Sequence, residues 1–168
     1  MPDTERGVGH FSVEDLENLR ERLRRRTVVT DGCWLWVGAV SSPDGYGRIS
    51  ATVDRVETTL SAHRAAVLSS GVRLQTGAVI EHHCNEPLCV RVDPEHVHVS
   101  TQSANMRHAV ATGRAAGPRV VVDSSKRVER SRAVRALALR GFDESAYVDL
   151  VQRFTVVVDP GDDQLTLW

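Results

Sequence analysis

Cysteine and histidine are concentrated in one short stretch of this sequence, residues 79–107. The stretch holds two of the three cysteines and four of the seven histidines of the chain. Cys84 and Cys89 are separated by four residues, and His96 follows Cys89 by seven positions, beyond a Val-Asp-Pro turn. Thiolate and imidazole groups at such spacings are ligands of zinc. Cys33, which lies 51 positions before Cys84, would complete a Cys3His tetrahedron that uses every cysteine of the chain.

The predicted zinc ion is structural. Four protein ligands leave no coordination position for water or substrate, so the ion would hold a polar loop together and would not react. His98 or His83 is an alternative to His96 as the fourth ligand. A disulfide between the two loop cysteines is a second alternative, which a reducing compartment disfavours.

Two further residues of the stretch are suited to phosphodiester hydrolysis. His82 ends an apolar run that predicts a strand, and Asn105 lies just inside a predicted helix that follows a second short strand. This order brings an imidazole and an amide oxygen to the same point. A neutral imidazole can take a proton from an attacking water, and an amide oxygen is a ligand for a hard cation such as Mg2+. Arg48 and Arg107 are candidates for stabilising transition-state charge; His63 is interpreted as a packed residue.

The elements that must position these residues are short, and the mixture of strands and helices predicts an α+β fold. Ser12 and Asp15 form a capping-box pattern before the first helix. Trp34 and Trp36 are predicted to fill the core. Apolar periodicity and turn residues predict strands at 27–37, 48–53, 78–82 and 96–100, the first two paired as a hairpin, and helices at 12–26, 58–70, 103–112, 125–139 and 143–154.

Charge is unevenly distributed along the chain, although the net charge is only −1. Residues 101–140 carry nine basic side chains and two acidic ones, and the chain beyond Gly141 is mostly acidic. Such a basic stretch predicts contact with a phosphate backbone, and the alternative is a solvated helix face. The last two helices are predicted to form a plain helical hairpin, with a helix-turn-helix DNA contact as the alternative. The side chains assigned to nucleic acid are Arg107, Arg114, Arg119, Lys126 and Arg127.

Length and composition predict a single domain with appendages. The sequence shows no signal peptide and no transmembrane run, and its cysteine count is odd, so a reduced, cytoplasmic protein is expected. A Gly/Ala/Pro-rich linker at 113–118 is the best candidate boundary. The predicted regions are an N-terminal helix at 1–30, a central domain at 31–112, a basic helical extension at 113–155 and an acidic tail at 156–168.

The motifs CWLW, GYG, AHR, EHHCNEPLC, DPEH and STQSANMR, in this order and spacing, resemble those of HNH endonucleases of the His-Me finger (ββα-metal) class. The nearest resemblance is to the zinc-stapled, homing-endonuclease-like group found in phages and mobile elements, and it covers residues 31–112. It implies a His-Me finger core that cuts DNA with a divalent cation such as Mg2+. It also implies that His82 is the general base, that Asn105 binds the catalytic cation, and that Arg48 is the candidate phosphate clamp.

The same resemblance implies the zinc positions, which are Cys33, Cys84, Cys89 and His96. One departure concerns the link between the second loop cysteine and the histidine. The family has a short Asn-Pro link there, and this sequence has the longer VRVDPE. The position of the zinc histidine is therefore the part of the ligand set that the resemblance fixes least.

The C-terminal sequence QLTLW resembles the short peptides by which bacterial proteins dock on the replicative sliding clamp. Its position after an acidic, Gly-containing segment suits a docking peptide. The alternative is a last strand that closes the domain. The residues assigned to the clamp are Gln164, Leu165, Leu167 and Trp168.

Taken together, these patterns predict a metal-dependent endonuclease. A monomer with one site would nick one DNA strand, whereas a double-strand cut would need a homodimer with two sites. The alternative is a non-catalytic, zinc-stabilised DNA-binding module, with possible tethering to the clamp. RNA is not excluded as the substrate.

Overall fold

The computed structural model describes residues 11–42, 44–53, 56–72, 74–75, 77–111 and 124–154. These residues form a mixed α+β structure, which confirms the predicted class. The elements in chain order are α1 (Val13–Arg25), β1 (Thr27–Val29), β2 (Trp34–Trp36), β3 (Ala39–Val40), β4 (Gly47–Val53), β5 (Val56–Ser61), α2 (Ala62–Ser69), β6 (Val79–His82), β7 (Val97–Ser100), α3 (Gln102–Ala111), α4 (Ser124–Arg140) and α5 (Glu144–Arg153).

Antiparallel pairing joins the strands into three small sheets. Strands β1 and β2 form one hairpin, β3, β4 and β5 form a three-stranded sheet, and β6 pairs with β7. In the last hairpin, Glu81 lies opposite His98 and His82 lies opposite Val97. Helix α3 follows β7 directly and packs against β6. The predicted order of strand, strand and helix around His82 is therefore present.

The first predicted hairpin is wrong in its pairing. The stretch 27–37 is not one strand, because the chain reverses at residues 30–33, where the Thr30 hydroxyl donates to the Cys33 carbonyl over 2.7 Å. As a result β1 pairs with β2, and β4 pairs with β3 and β5.

The helix predicted at 58–70 begins later than expected. Residues 58–61 belong to β5, in which Thr58 and Thr59 pair with Ala51 and Ser50 of β4. Threonine is β-branched and fits a pleated, half-buried surface better than a helix. Helix α2 starts only at Ala62, beyond the partner strand.

Helix α1 forms as its pattern predicts. The Ser12 side chain accepts from the Asp15 backbone, and the Asp15 side chain accepts from the Ser12 backbone, so both members of the capping box are made. Leu19 and Leu23 are buried on one face of the helix. Arg20 donates to the Ser69 carbonyl at the end of α2, which ties the two helices together.

Trp36 lies at the centre of the core and is fully buried, as predicted. Its indole nitrogen donates to the Ala39 carbonyl over 3.0 Å. Gly47 permits this packing, because a Cβ atom there would lie 2.4 Å from the Trp36 ring. The same prediction is wrong for Trp34, which is the first residue of β2 and is 41% exposed.

Helix α4 packs against β2 and β3, and its residues Val134 and Ala138 belong to the same core cluster as Leu19 and Trp36. The predicted basic extension thus contributes a helix to the central core. Helices α4 and α5 pack against each other, as a helical hairpin does. Among the described segments, no helix combines the length and the apolar character needed to cross a bilayer.

Candidate active site and metal centre

Three separate segments bring the four predicted zinc ligands together. One ligand atom from each residue lies within 4.8 Å of every other. The His96 Nδ1 atom is 3.5 Å from the Cys33 sulfur and 3.6 Å from the Cys89 sulfur. A tetrahedral zinc ion with bonds of about 2.3 Å to sulfur and about 2.0 Å to nitrogen separates these atoms by roughly 3.5 Å. This group, the thiolate cluster, comprises Cys33, Cys84, Cys89 and His96.

Backbone hydrogen bonds hold the loop of the thiolate cluster against β2. The Trp36 amide donates to the Leu88 carbonyl and the Val90 amide donates to the Trp34 carbonyl, both over 2.8 Å. Leu35 and Cys89 form a β-bridge between these two bonds. Cys33, in the turn before β2, is thereby brought beside the two loop cysteines, although it lies 51 positions before Cys84 in sequence.

The longer link before His96 folds back on itself through Arg91. The Arg91 guanidinium donates to Asp93 over 2.6 Å and to the backbone carbonyls of Asp31 and Gly32 over 2.9 and 2.7 Å. The His83 amide also donates to the His96 carbonyl over 2.7 Å. These contacts return the chain to the cluster, so the six residues between Cys89 and His96 are accommodated beside the ligands.

The three thiols lie close enough to change one another's pKa values. Hydrogen bonds with Cys33 and Cys89 lower the pKa of Cys84. The hydrogen bond to Cys84, followed by that to Cys89 and by burial, raises the pKa of Cys33. For Cys89, the hydrogen bond with Cys33 lowers the pKa, but the bond to Cys84, burial and the Cys84 charge together raise it to about 12. A divalent cation would allow all three to ionise.

The alternatives to this ligand set are not realised in the structure. All three cysteines are free thiols, so the loop cysteines do not form a disulfide. His98 lies across from Glu81 in the hairpin, and His83 stacks on His108. His96 is therefore the histidine that joins the cysteines, and the four residues can bind a metal such as zinc.

His82 is buried beside the thiolate cluster. It is 8% exposed, and its Nε2 atom lies 3.1 Å from the Cys89 carbonyl oxygen. A carbonyl only accepts, so Nε2 carries a proton and donates this hydrogen bond. Tyr46 stacks on the His82 ring at a centroid distance of 5.6 Å. The structure thus fixes the tautomer of the candidate general base through the backbone of a metal-binding residue.

His63, which was interpreted from the sequence as a packed residue, is a neighbour of His82, and its packing confirms that interpretation. The two rings meet edge to face at a centroid distance of 4.4 Å. Burial, followed by the proximity of His82, Arg48 and Arg64, lowers the pKa of His63 to about 3, so this imidazole is neutral at physiological pH. The Ser61 hydroxyl lies 3.4 Å from its Nε2 atom. The AHR motif was the available signal, and the tertiary structure shows that its histidine packs on His82.

Arg48 lies close enough to His63 to lower its pKa, but its guanidinium forms an ion pair with a carboxylate. Its guanidinium donates to Asp44 over 2.5 Å, and both side chains are about one-third exposed. Burial raises the pKa of Asp44, but the Tyr46 amide, Ser41 and Arg48 outweigh that effect and lower it overall. A phosphate that binds Arg48 would share this guanidinium with Asp44.

Asn105 lies in the first turn of α3. Its amide donates to the Thr101 carbonyl over 2.9 Å, and the Thr101 hydroxyl accepts from the Ala104 amide over 3.2 Å at the start of the helix. The Asn105 side chain is half-buried. Because α3 packs against the strand that ends at His82, the two predicted catalytic residues lie on adjoining elements.

The basic stretch separates into two groups. Arg107 and Lys126 are exposed, and Arg107 also donates to Ser103 over 2.7 Å. Arg130 and Arg135, by contrast, hold the fold together: Arg130 is buried, and Arg135 donates to the carbonyls of residues 37 and 38. Arg127 is half-buried. Arg114, Arg119 and the predicted clamp peptide Gln164, Leu165, Leu167 and Trp168 lie outside the described residues.

Glu86, between the two loop cysteines, is a positioning residue that sequence reasoning missed. It is 1% exposed, and its carboxylate accepts from Arg130 over 2.7 Å, from the Tyr147 hydroxyl over 2.9 Å and from the Leu88 amide over 3.1 Å. Burial and the Glu86 charge raise the pKa of Tyr147. Helices α4 and α5 therefore support the loop of the thiolate cluster, because Arg130 of α4 and Tyr147 of α5 both donate to Glu86. The only sign of this role in the sequence was an acidic residue within the Asn-Glu-Pro-Leu segment at 85–88.

Comparison with known proteins gives one distant relative. No family model matches the chain, and no solved structure matches it significantly. The chain is 34% identical over 97 residues to "Protein 2.8" of Escherichia phage T7. The aligned region covers 57% of this chain and 63% of the phage protein, so the chain spans less than two thirds of that relative's length.

Proposed function

We propose that this protein is a metal-dependent DNA endonuclease of the HNH type, with a His-Me finger core formed by β6, β7 and α3. The observation that carries the proposal is the hydrogen bond from His82 Nε2 to the Cys89 carbonyl. It assigns a proton to Nε2 of this buried ring, and Nδ1 is the proposed basic atom. Such a group suits proton removal from the water that attacks a phosphodiester.

Zinc in the thiolate cluster is assigned a structural role in this proposal. All four ligands come from the protein, so no position is left for substrate. The ion acts on the chemistry indirectly, because Cys89 supplies both a thiolate to the cluster and a carbonyl to His82. Removal of the zinc would therefore release the acceptor that holds the tautomer of the base.

Asn105 is the proposed protein ligand of the catalytic cation. An amide oxygen is a hard donor of the type that Mg2+ takes together with waters and phosphate oxygens. When bound, Mg2+ would stabilise negative charge on the phosphate and on the leaving oxygen. Arg48 is the proposed phosphate clamp. The exposed Arg107 and Lys126 and the half-buried Arg127 are proposed to contact the DNA backbone.

The test is the conversion of supercoiled plasmid by the zinc-loaded protein, with Mg2+ present or omitted. We expect Mg2+-dependent open circles from the wild type. His82→Ala should lower the nicking rate about 10²- to 10⁴-fold, the usual contribution of a general base, while DNA binding in a gel shift is retained. Linear product would indicate paired sites in a dimer.

A matched pair of variants on α3 tests the cation ligand. Asn105→Ala should abolish Mg2+-dependent nicking. Gln102→Ala removes a similar amide from an exposed position one turn earlier on the same helix, and it should leave the rate unchanged. Nicking that persists in Asn105→Ala, or that proceeds without a divalent cation, would contradict the proposed mechanism.

The competing assignment is a zinc-stabilised DNA-binding module without catalysis. It predicts a gel shift with no cutting, and equal behaviour of wild type and His82→Ala. Parallel reactions with single-stranded RNA decide between DNA and RNA as the substrate. Clamp docking remains a separate prediction: a pull-down with purified sliding clamp should succeed with the wild type and fail with Leu167→Ala or Trp168→Ala.

A further inference from the structure

Helix α4 packs directly against the turn between β3 and β4, which carries the proposed phosphate clamp. Gly45 of this turn has a φ of +73°, and a Cβ atom there would lie 3.0 Å from both the Arg127 carbonyl oxygen and the Ser131 hydroxyl. Glycine therefore permits both the backbone conformation and the close approach of the helix. A helix from outside the region that resembles the nuclease family is thus placed beside the candidate active site.

Two arginines of α4 follow β3 toward that turn. The Arg135 Nε atom donates to the carbonyls of residues 37 and 38, both over 2.8 Å, and Arg132 donates to the Ser42 hydroxyl over 3.3 Å. The two arginines are three positions apart and are therefore neighbours on the helix surface. From β4, the Arg48 guanidinium comes within 3.5 Å of the Ser41 hydroxyl in the same turn. Guanidinium groups therefore lie at both ends of the segment 37–42.

The end of α1 adds another guanidinium at the start of this segment. Arg26 is the exposed C-cap residue of α1, and its carbonyl accepts from the Val37 amide over 2.8 Å. Val37 therefore contacts Arg26 through its amide and Arg135 through its carbonyl. The two arginines before Arg26 are both ion-paired with Glu21. The resulting set, named the arginine track, comprises Arg26, Arg48, Arg132 and Arg135.

Most of the charge on the arginine track is not neutralised by the described part of the fold. Arg26 and Arg132 are exposed, and Arg135 is half-buried. Among the described residues, only Arg48 of the track forms an ion pair with a carboxylate, that of Asp44. Arginines that donate to carbonyl and hydroxyl oxygens keep their full positive charge, so this surface attracts anions.

The length of the arginine track suits a nucleic-acid strand. The segment 37–42 spans at most about 18 Å. The phosphates of one strand of a DNA duplex rise about 3.4 Å per nucleotide along the helix axis, so the segment matches about five nucleotides. Guanidinium groups bind phosphate oxygens in a bidentate manner. Arg48 lies close enough to His63 to lower its pKa, so the track ends at the candidate active site.

We propose that the arginine track binds the phosphate backbone of DNA next to the phosphodiester that is cut. The strand would leave the candidate active site at Arg48, pass Arg132 and Arg135, and reach Arg26. The inference rests on the proposed function for its ligand, DNA, and extends that function to α1 and to the middle of α4. It concerns binding alone, so it can be tested without catalysis.

The experiment measures the affinity of the zinc-loaded protein for a short fluorescein-labelled DNA duplex, without added Mg2+ and over a series of salt concentrations. Arg132→Ala should weaken binding about tenfold, the usual contribution of a charge-assisted hydrogen bond. It should also reduce the slope of log affinity against log salt concentration by about 1, because one phosphate contact fewer is made. Arg26→Ala should act in the same direction. Wild-type slopes in both variants would overturn the proposal, as would a wild type that binds no DNA.

Matched variants separate the charge of the track from its role in the fold. Arg153→Ala removes an exposed arginine of α5 and should leave the slope unchanged. Ser42→Ala removes the hydrogen-bond partner of Arg132 but keeps the charge, so it should change the affinity little. Arg132→Lys should restore most of the slope, and circular dichroism checks the folding of each variant. Equal losses of slope in Arg132→Ala and Arg153→Ala would show attraction to net charge alone and would contradict the assignment.

Failure of this proposal is distinguishable from failure of the proposed function. A protein that binds DNA through the track but does not nick plasmid supports the track and contradicts the nuclease. A protein that nicks plasmid with Mg2+, while Arg26→Ala and Arg132→Ala bind DNA as the wild type does, supports the nuclease and contradicts the track. If both proposals are correct, Arg132→Ala should raise KM for plasmid and leave kcat unchanged.

Discussion

The thiolate cluster and the arginine track differ in how they are built. The thiolate cluster draws on three segments, is tied to β2 by backbone hydrogen bonds, and is supported by the buried Glu86. The arginine track also joins separate elements, but its members Arg26 and Arg132 are exposed to solvent. Closed coordination and several anchoring contacts are features of a structural site, whereas exposed charges contribute little to the fold and can bind another molecule.

This difference predicts a ranking of effects. Changes to the thiolate cluster or its support should unfold the loop and everything that depends on it, including the His82 acceptor. Changes to the arginine track should weaken DNA binding and leave the fold intact. Four predictions test this comparison, from the largest effect to the smallest.

Loss of the thiolate cluster should have the largest effect. Structural zinc contributes binding free energy on the order of 10 kcal/mol, comparable to the whole stability of a small domain. We expect Cys89→Ala, or removal of zinc by a strong chelator, to abolish the cooperative thermal unfolding transition seen by circular dichroism.

The matched control is Glu95→Gln, an exposed change beside His96 that leaves all four ligands in place. It should shift the midpoint of thermal unfolding by little. A Cys89→Ala protein with the melting curve of the wild type would show that the cluster is dispensable.

The buried Glu86–Arg130 pair should have the next largest effect. Arg130 is 9% exposed and Glu86 1% exposed, so the removal of one partner leaves the other charge buried. Glu86→Gln is expected to lower the free energy of unfolding in urea by about 3–5 kcal/mol. The double variant Glu86→Gln/Arg130→Met should recover part of that loss, because no unpaired charge remains. Strict additivity of the two single changes would mean that the pair contributes no coupling.

The arginine track should produce a smaller effect that depends on DNA concentration. A ligand that binds only the folded protein stabilises it by about 2.7 kcal/mol at a hundredfold excess over Kd. An added GC-rich DNA duplex should raise the midpoint of thermal unfolding of the wild type and of Arg153→Ala. The increase should be smaller in Arg132→Ala, because a tenfold weaker affinity removes about 1.4 kcal/mol of this stabilisation. An unchanged increase there would place the DNA elsewhere.

The smallest effect should be the contribution of His63 to the pH dependence of the free energy of unfolding. Its pKa falls from 6.5 to about 3 on folding, so the unfolded chain takes up a proton between these values and the folded chain does not. Stability due to His63 should therefore be lost as pH falls below 6.5, by at most about 1.4 kcal/mol per pH unit. His63→Gln should flatten this slope in urea titrations at pH 6.5, 6.0 and 5.5. Parallel curves for the two proteins would show that His63 is protonated in the fold.

Much of the fold and of the site could be predicted from the sequence, because local patterns fix them. The capping box begins α1 where predicted, and the strands that flank the metal loop and the helix that carries Asn105 lie within a residue or two of their predicted limits. The Cys3His set was also correct as a group of neighbours, since thiols and imidazoles at these spacings are typical ligands of one metal ion.

The pairing of the early strands was not predictable from the same patterns. Residues 27–37 have a continuous strand composition, and only the turn at 30–33 divides them into β1 and β2. Residues 58–61 were assigned to a helix, but pairing with β4 makes them a strand. In both places long-range hydrogen bonds outweighed the local preference of the chain.

The sequence by itself determined which chemical groups this protein possesses and the order in which its small elements follow one another. The tertiary structure decided which of those groups meet. It selected His96 over His98 for the cysteines, packed His63 against His82, buried Arg130 on Glu86, and placed Arg132 and Arg135 along β3. The physical reason is that alternation along a strand and the docking of α3 and α4 fix side-chain neighbours, and neither can be read from spacing along the chain.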